Sequence, residues 1–136
     1  MNSNIDQLVR EMNPRLNDGT WVFCTLPVGM RAPEGALAVF HESEATTVVI
    51  SAADAESLDL PPRFVAAWIT LTVDSDLDAV GFLAVISRVL AAEGISCNVI
   101  SAVHHDHLFV PNEQGHRAIE VLRKLQASPF RASDIQ

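Results

Sequence analysis

Residues 65–98, VAAWITLTVDSDLDAVGFLAVISRVLAAEGISCN, set the strongest limit on what this chain can become, because strand, polar turn, apolar helix, glycine stop and second strand follow without a break in pattern. Val65, Ala67, Ile69, Leu71 and Val73 alternate with Ala66, Trp68, Thr70 and Thr72, the period of a strand with two unlike faces. Asp74, Ser75, Asp76 and Asp78 place hydrogen-bonding side chains ahead of an apolar run, which marks a helix start, and Asp78 is the expected N-cap. Gly94 stands where a left-handed residue closes the helix, and Ile95, Cys97 and Val99 resume the alternation. The unit is βαβ, and its turn ends in a helix N-terminus whose unpaired amides can hold an anion. Gly81 falls in the first turn of a helix expected over 79–93. A glycine there costs up to about 1 kcal/mol relative to alanine, which points to close approach of a backbone or ligand.

The remaining elements follow from period and punctuation. Ile5, Leu8, Val9 and Met12 share one helical face over 4–12, and Pro14 with Asn17-Asp18-Gly19 ends that helix in a turn. Residues 20–26 alternate as a strand, with Trp21 and Phe23 on one side and Val22, Cys24 and Leu26 on the other. Strands over 36–41 and 46–50 form a hairpin about Glu42-Ser43-Glu44, and a short helix over 52–58 precedes Pro61-Pro62. Beyond the diproline come strands over 65–73, 95–103 and 107–110 and helices over 79–93 and 113–126. This is the βαββα order of a ferredoxin-like split unit, α+β in class, without its last strand, since Ser128-Pro129-Phe130 opens a poor tail. The N-terminal half is the expected donor of the missing edge. The expected division is 1–60 and 61–136.

The stretch from Trp68 to Leu125, with its polar turn, Val80-Gly81-Phe82-Leu83, Leu90 with Gly94-Ile95, and Asn98, resembles an ACT domain, the small regulatory module that binds amino acids in aspartate kinases. GISCNVI at 94–100, HDHLFVP at 105–111 and WVFCTLP at 21–27 resemble short bacterial stand-alone ACT proteins, similar also to arginine-sensing ACT proteins of animals. The resemblance implies a βαββαβ fold made of two interlocked ACT-like subdomains, a free amino acid as ligand, and no cofactor.

Composition narrows the alternatives. Nine basic against seventeen acidic residues give a net charge of −8, so a polyanion is repelled over most of the surface and nucleic acid is an unsuitable partner. The apolar stretches are too short and too interrupted by charge to span a bilayer, and the N-terminus lacks a basic segment followed by an apolar one, so the expected location is the cytoplasm. Cys24 and Cys97 both lie in apolar strand patterns and read as reduced core residues.

No catalytic constellation emerges. G-x-S-x-G, a phosphate loop, H-E-x-x-H and C-x-x-C are all absent, and His41 with Glu42 and Glu44 reads as a polar hairpin turn. His104-His105-Asp106-His107 has no spacing for a tetrahedral metal set even with His116 added, because neighbours in an extended chain point to opposite faces. Here the resemblance places the segment near a ligand pocket, where Asp106 would pair with an ammonium and His105 with one hydrogen-bonding group. The candidate site is therefore Asp74, Ser75, Asp78, Val80, Gly81, Phe82, Asn98, His105 and Asp106. The carboxylate of the amino acid would lie at the amides near Gly81 and Phe82, and its ammonium by Asp74, Ser75 or Asp106. The apolar residues of 79–93 run almost round the helix, and with the missing strand they suggest a homodimer that passes ligand occupancy to a partner. A ligand-free scaffold of the same fold is the first alternative, and a metal protein or enzyme using His104, His105 and His107 is the second.

Overall fold

The computed structural model describes residues 4–128. Its elements are α1 (Ile5–Glu11), β1 (Pro14–Leu16), β2 (Trp21–Leu26), β3 (Ala38–His41), β4 (Thr46–Ser51), α2 (Ala52–Ser57), β5 (Phe64–Leu71), α3 (Phe82–Ala92), β6 (Asn98–Ser101), β7 (Asp106–Pro111) and α4 (Gly115–Ala127), the last preceded by a 3-10 turn at Asn112–Gln114. The strands make one seven-stranded antiparallel sheet in the order β3-β4-β2-β5-β7-β6, with β1 also on β5.

β5 belongs to two units at once. Its first residues pair with β2 (Trp21↔Ala66, Phe23↔Phe64), so β3-β4-β2-β5 has the ferredoxin-like order with β5 as last strand. Its later residues pair with β1 (Pro14↔Leu71, Leu16↔Ile69), so β1-β5-β7-β6 has the same order with β5 as first strand. The edge missing from the second half comes from the N-terminus, as expected, but from a strand the sequence concealed: three residues beginning with proline show no alternation. A proline is tolerated there as the first residue of an edge strand.

The faces of β5 explain the layering. Ala67, Ile69 and Leu71 turn toward α1, α3 and α4 and form one buried cluster with Leu8, Val9, Met12, Phe82, Ile86, Leu90, Leu108 and Leu122. Val22, Cys24, Leu26, Val48 and Ile50 are covered by Ala55 of α2 and by Leu60. The other face gathers Phe23, Phe64, Trp68, Phe109 and Ile100 with Val49, Ala66 and Ala38, strand residues without exception.

Four expectations are corrected. The helix begins at Phe82, not Ala79, because Gly81 has φ +95°, outside the right-handed helical region. Asp78 is not its cap: residues 76–79 make a separate turn, in which Asp76 accepts from the Asp78 amide through Oδ1 and from the Ala79 amide through its carbonyl. The helix is not covered all round either, since Ala84, Ser87, Arg88 and Ala91 are exposed. β6 is also shorter than expected, four residues instead of nine.

Candidate functional site

The turn 74–81 and the β6–β7 hairpin meet at one end of the sheet. Asp106, first residue of β7, pairs with Ser101 on one side and Leu71 on the other, so its carboxylate is fixed by the ladder rather than by a loop. It is 5% exposed, and so is Ser75, whose hydroxyl donates to Asp106 Oδ2 at 2.9 Å. A buried carboxylate has a high desolvation cost unless its oxygens are hydrogen-bonded. One oxygen is met by Ser75, and the group borders a cavity of about 110 Å³ lined also by Asp76, Ala79, Gly81, Phe82, Leu83, Ala84 and Ser101.

The opposite wall of that cavity is the first turn of α3. Gly81 is the N-cap and brings no side chain to the orphan amides, and no acidic residue occupies the first turn. The Val85 amide bonds the Gly81 carbonyl, which leaves the Phe82, Leu83 and Ala84 stretch as the donor side of the cavity. Amide donors and the positive end of a helix dipole thus lie across a small space from a buried carboxylate, an arrangement with both signs of charge. Gly81 has a second role that the sequence did not reveal. A β-carbon there would stand 2.8 Å from Ile5 Cδ1, so the position is also where α1 packs against the start of α3.

The other expected residues separate. Phe82 is buried in the helical core and also borders the cavity. Asp74, Asp78 and Val80 are exposed and do not line the cavity. His105 is half-buried, and its Nδ1–H donates to the Val73 carbonyl at 3.2 Å, which pins the hairpin to the turn. Asn98 is not at this end of the sheet: opposite Phe109, on the helix-free face, it lines another cavity with Phe23 and Phe64. Ser101 and Asp76, which sequence reasoning did not select, do line the first one. The strand-end position of Ser101 opposite Asp106 was the available signal.

His107 lies on the helix-free face, where Nδ1 accepts from the Trp68 indole N–H at 3.0 Å and sits 3.1 Å from Thr70 Oγ1, itself an acceptor for the Asn17 amide at 2.9 Å. Burial first, and then the neighbouring His105, hold its imidazole below the ordinary range, so the neutral form is favoured. Among the described residues no three His, Cys, Asp or Glu side chains converge on a common point. Burial pushes the Cys97 thiol up to about 11 and that of Cys24 in the same direction, which keeps both as thiols at neutral pH.

The ACT domain pattern matches this chain twice, over residues 2–67 and over residues 63–124. The two matches overlap on the first residues of β5, the segment that both sets of strands share. A crystal structure from Vibrio cholerae, described as a protein of unknown function and possible transport protein, is 35% identical with TM-score 0.76, over 89% of this chain and 94% of that one. The chain belongs to the ACT domain family. The ligand-free regulatory subunit of aspartate kinase from Thermus thermophilus has the same fold at 8% identity, TM-score 0.60, with 87% of this chain and 96% of that one covered. An Agrobacterium tumefaciens protein does so at 17% identity and TM-score 0.64, over 83% and 87%. No curated protein matches by sequence. Family and fold are those of small-molecule regulatory domains rather than of catalytic ones. Among the described residues no helix is long and apolar enough to cross a membrane.

Proposed function

We propose that this protein is an amino-acid sensor whose ligand docks at the end of the sheet between Asp106 and the first turn of α3. The observation that carries the reading is the cavity in which a buried Ser75–Asp106 pair faces helix amides that no side chain caps. An α-carboxylate fits the amides and an α-ammonium fits Asp106. The cavity is small enough to take the charged head of an amino acid, and the side chain leaves through its mouth. Leu77, which lines the cavity, and Val80, next to Gly81 in the chain, are 59% and 82% exposed. In this reading they are the contact by which a second copy closes the site, so that occupancy favours one arrangement of a cytoplasmic homodimer and is passed to a partner protein.

A thermal-shift panel of the natural amino acids tests the reading. A ligand that binds only the native state at a hundredfold excess over Kd adds about 2.7 kcal/mol of stability. Calorimetry with the best amino acid should then lose roughly 1.5–3 kcal/mol of binding in Asp106→Asn, the worth of a charge-assisted hydrogen bond. A flat panel leaves the ligand-free scaffold as the function, and unchanged affinity in Asp106→Asn moves the site elsewhere. Sedimentation that finds a monomer with amino acid bound removes the dimer from the mechanism.

A further inference from the structure

The face of the sheet without helices carries a cavity of its own, of about 300 Å³, and its chemistry is the reverse of that at Asp106. Phe23 and Phe64 line it, with Thr25 and Thr47, and Arg63 and Asn98 supply its remaining polar side chains. The strand register agrees: Phe23 pairs with Phe64, Thr25 with Thr47, and Asn98 with Phe109, so these side chains lie on one face and are drawn from both halves of the chain. Phe23 is held edge-on by Phe64 at 5.7 Å and by Phe109 at 5.4 Å, which makes an aromatic floor fixed by packing. No carboxylate is among the lining residues, although Glu42 beside it accepts from the Thr47 hydroxyl, and no ion pair among the described residues engages Arg63. A planar guanidinium beside an aromatic floor matches a carboxylate attached to a ring, whereas an ammonium beside Arg63 would meet a like charge. We propose that this cavity is a second ligand site, for a small aromatic carboxylate that lacks an amino group, held by Arg63 and Asn98 against Phe23 and Phe64. Because the site spans β2, β4, β5 and β6, a ligand there bears on both halves across their shared strand.

Titration calorimetry with 3-phenylpropionate, phenylalanine and 3-phenylpropionamide decides the matter on the intact protein. The expected result is that 3-phenylpropionate binds, and that phenylalanine and the amide, which share the ring, bind about tenfold or more weakly at this site. Arg63→Gln should reduce the affinity for 3-phenylpropionate by a similar factor, Phe64→Ala should reduce it further, and Asp106→Asn should leave it unchanged. The last variant separates this site from the amino-acid site, whose failure would leave the present one standing. Absence of 3-phenylpropionate binding at millimolar concentration overturns the proposal. So does binding that Arg63→Gln does not weaken, or that phenylalanine equals in Asp106→Asn, where the amino-acid site is disabled. A dimer that Phe64→Asp splits, with no ligand bound to either form, assigns the face to a second copy and also overturns it.

Discussion

The two halves of this chain share a strand order but not a helix. In the C-terminal half the connection from β5 to β6 carries α3, eleven residues long, whose uncapped first turn walls the cavity at Asp106. In the N-terminal half the corresponding connection, from β2 to β3, is residues 27–37 and contains no helix. Val28 is fully exposed there and Met30 and Leu37 are partly so. With no helix there is no row of orphan amides and no dipole to receive a carboxylate, so the proposed amino-acid site, built on the first helix, has one place to form among the described residues. The difference teaches that strand order builds the platform while the helix supplies the chemistry. The N-terminal half contributes in another way, through α1 and β1, which complete the C-terminal half from outside its own sequence.

The largest test of that comparison is removal of residues 1–16. Leu8, Val9 and Met12 are fully buried in the C-terminal core, each worth about 1.5–3 kcal/mol on burial, and together they equal a large part of an ordinary domain's stability. The truncated chain should lose cooperative melting, because β5 also loses its β1 partner. A truncated protein with the melting temperature of the full chain would show that the segment is an appendage and that the halves are independent.

A pair of glycines sharpens the contrast at intermediate size. Gly81 and Gly29 occupy comparable connections and both have positive φ, +95° and +85°, but a β-carbon meets Ile5 at 2.8 Å at the first and nothing within 4 Å at the second. Gly81→Val should therefore cost about 2–4 kcal/mol, backbone strain plus overpacking, and Gly29→Val about 1–2 kcal/mol, strain alone. Chemical denaturation of the two variants gives the difference directly, and equal costs would mean that α1 yields to the new side chain.

The smallest expected effect concerns His107. Its folded pKa is lowered by burial, so the unfolded chain binds a proton more readily. The resulting stability is fully present above the unfolded value of about 6.5 and is lost as pH falls through the lower folded value. The imidazole is partly solvated, so the change is a fraction of a kcal/mol. Denaturation midpoints measured across this window should slope upward with pH, and His107→Gln should flatten the slope. A wild-type slope of opposite sign would refute the neutral assignment, which rests on the Trp68 hydrogen bond as well as on burial.

Periodicity made most of the fold legible. The run 65–73 announced β5, the positions of Trp21 and Phe23 against Val22 and Cys24 gave the two faces of β2, and the alternation of 46–50 gave β4. What escaped was short or depended on handedness: β1 is three residues, too brief for any period to show, and the three residues before Phe82 fit an apolar helical pattern that one positive φ interrupts. Within the proposed site, Ser75 and the amides after Gly81 follow from local rules of turns and helix starts, whereas Asp106 entered through the resemblance to ACT domains. Asn98 was misplaced because a strand residue's face is set by pairing, here with Phe109, and not by its distance along the chain from a helix.

By itself, the sequence determined most of the strands and helices, a net charge of −8, and that a polar turn leads into a helix N-terminus. Tertiary structure decided that one strand serves two halves, that the N-terminal helix and strand complete the C-terminal one, and that a buried aspartate and an uncapped helix turn face each other. The reason is physical: local elements follow from side-chain size and backbone preference over a few residues, whereas partnership across a sheet depends on where distant segments can bury apolar surface together.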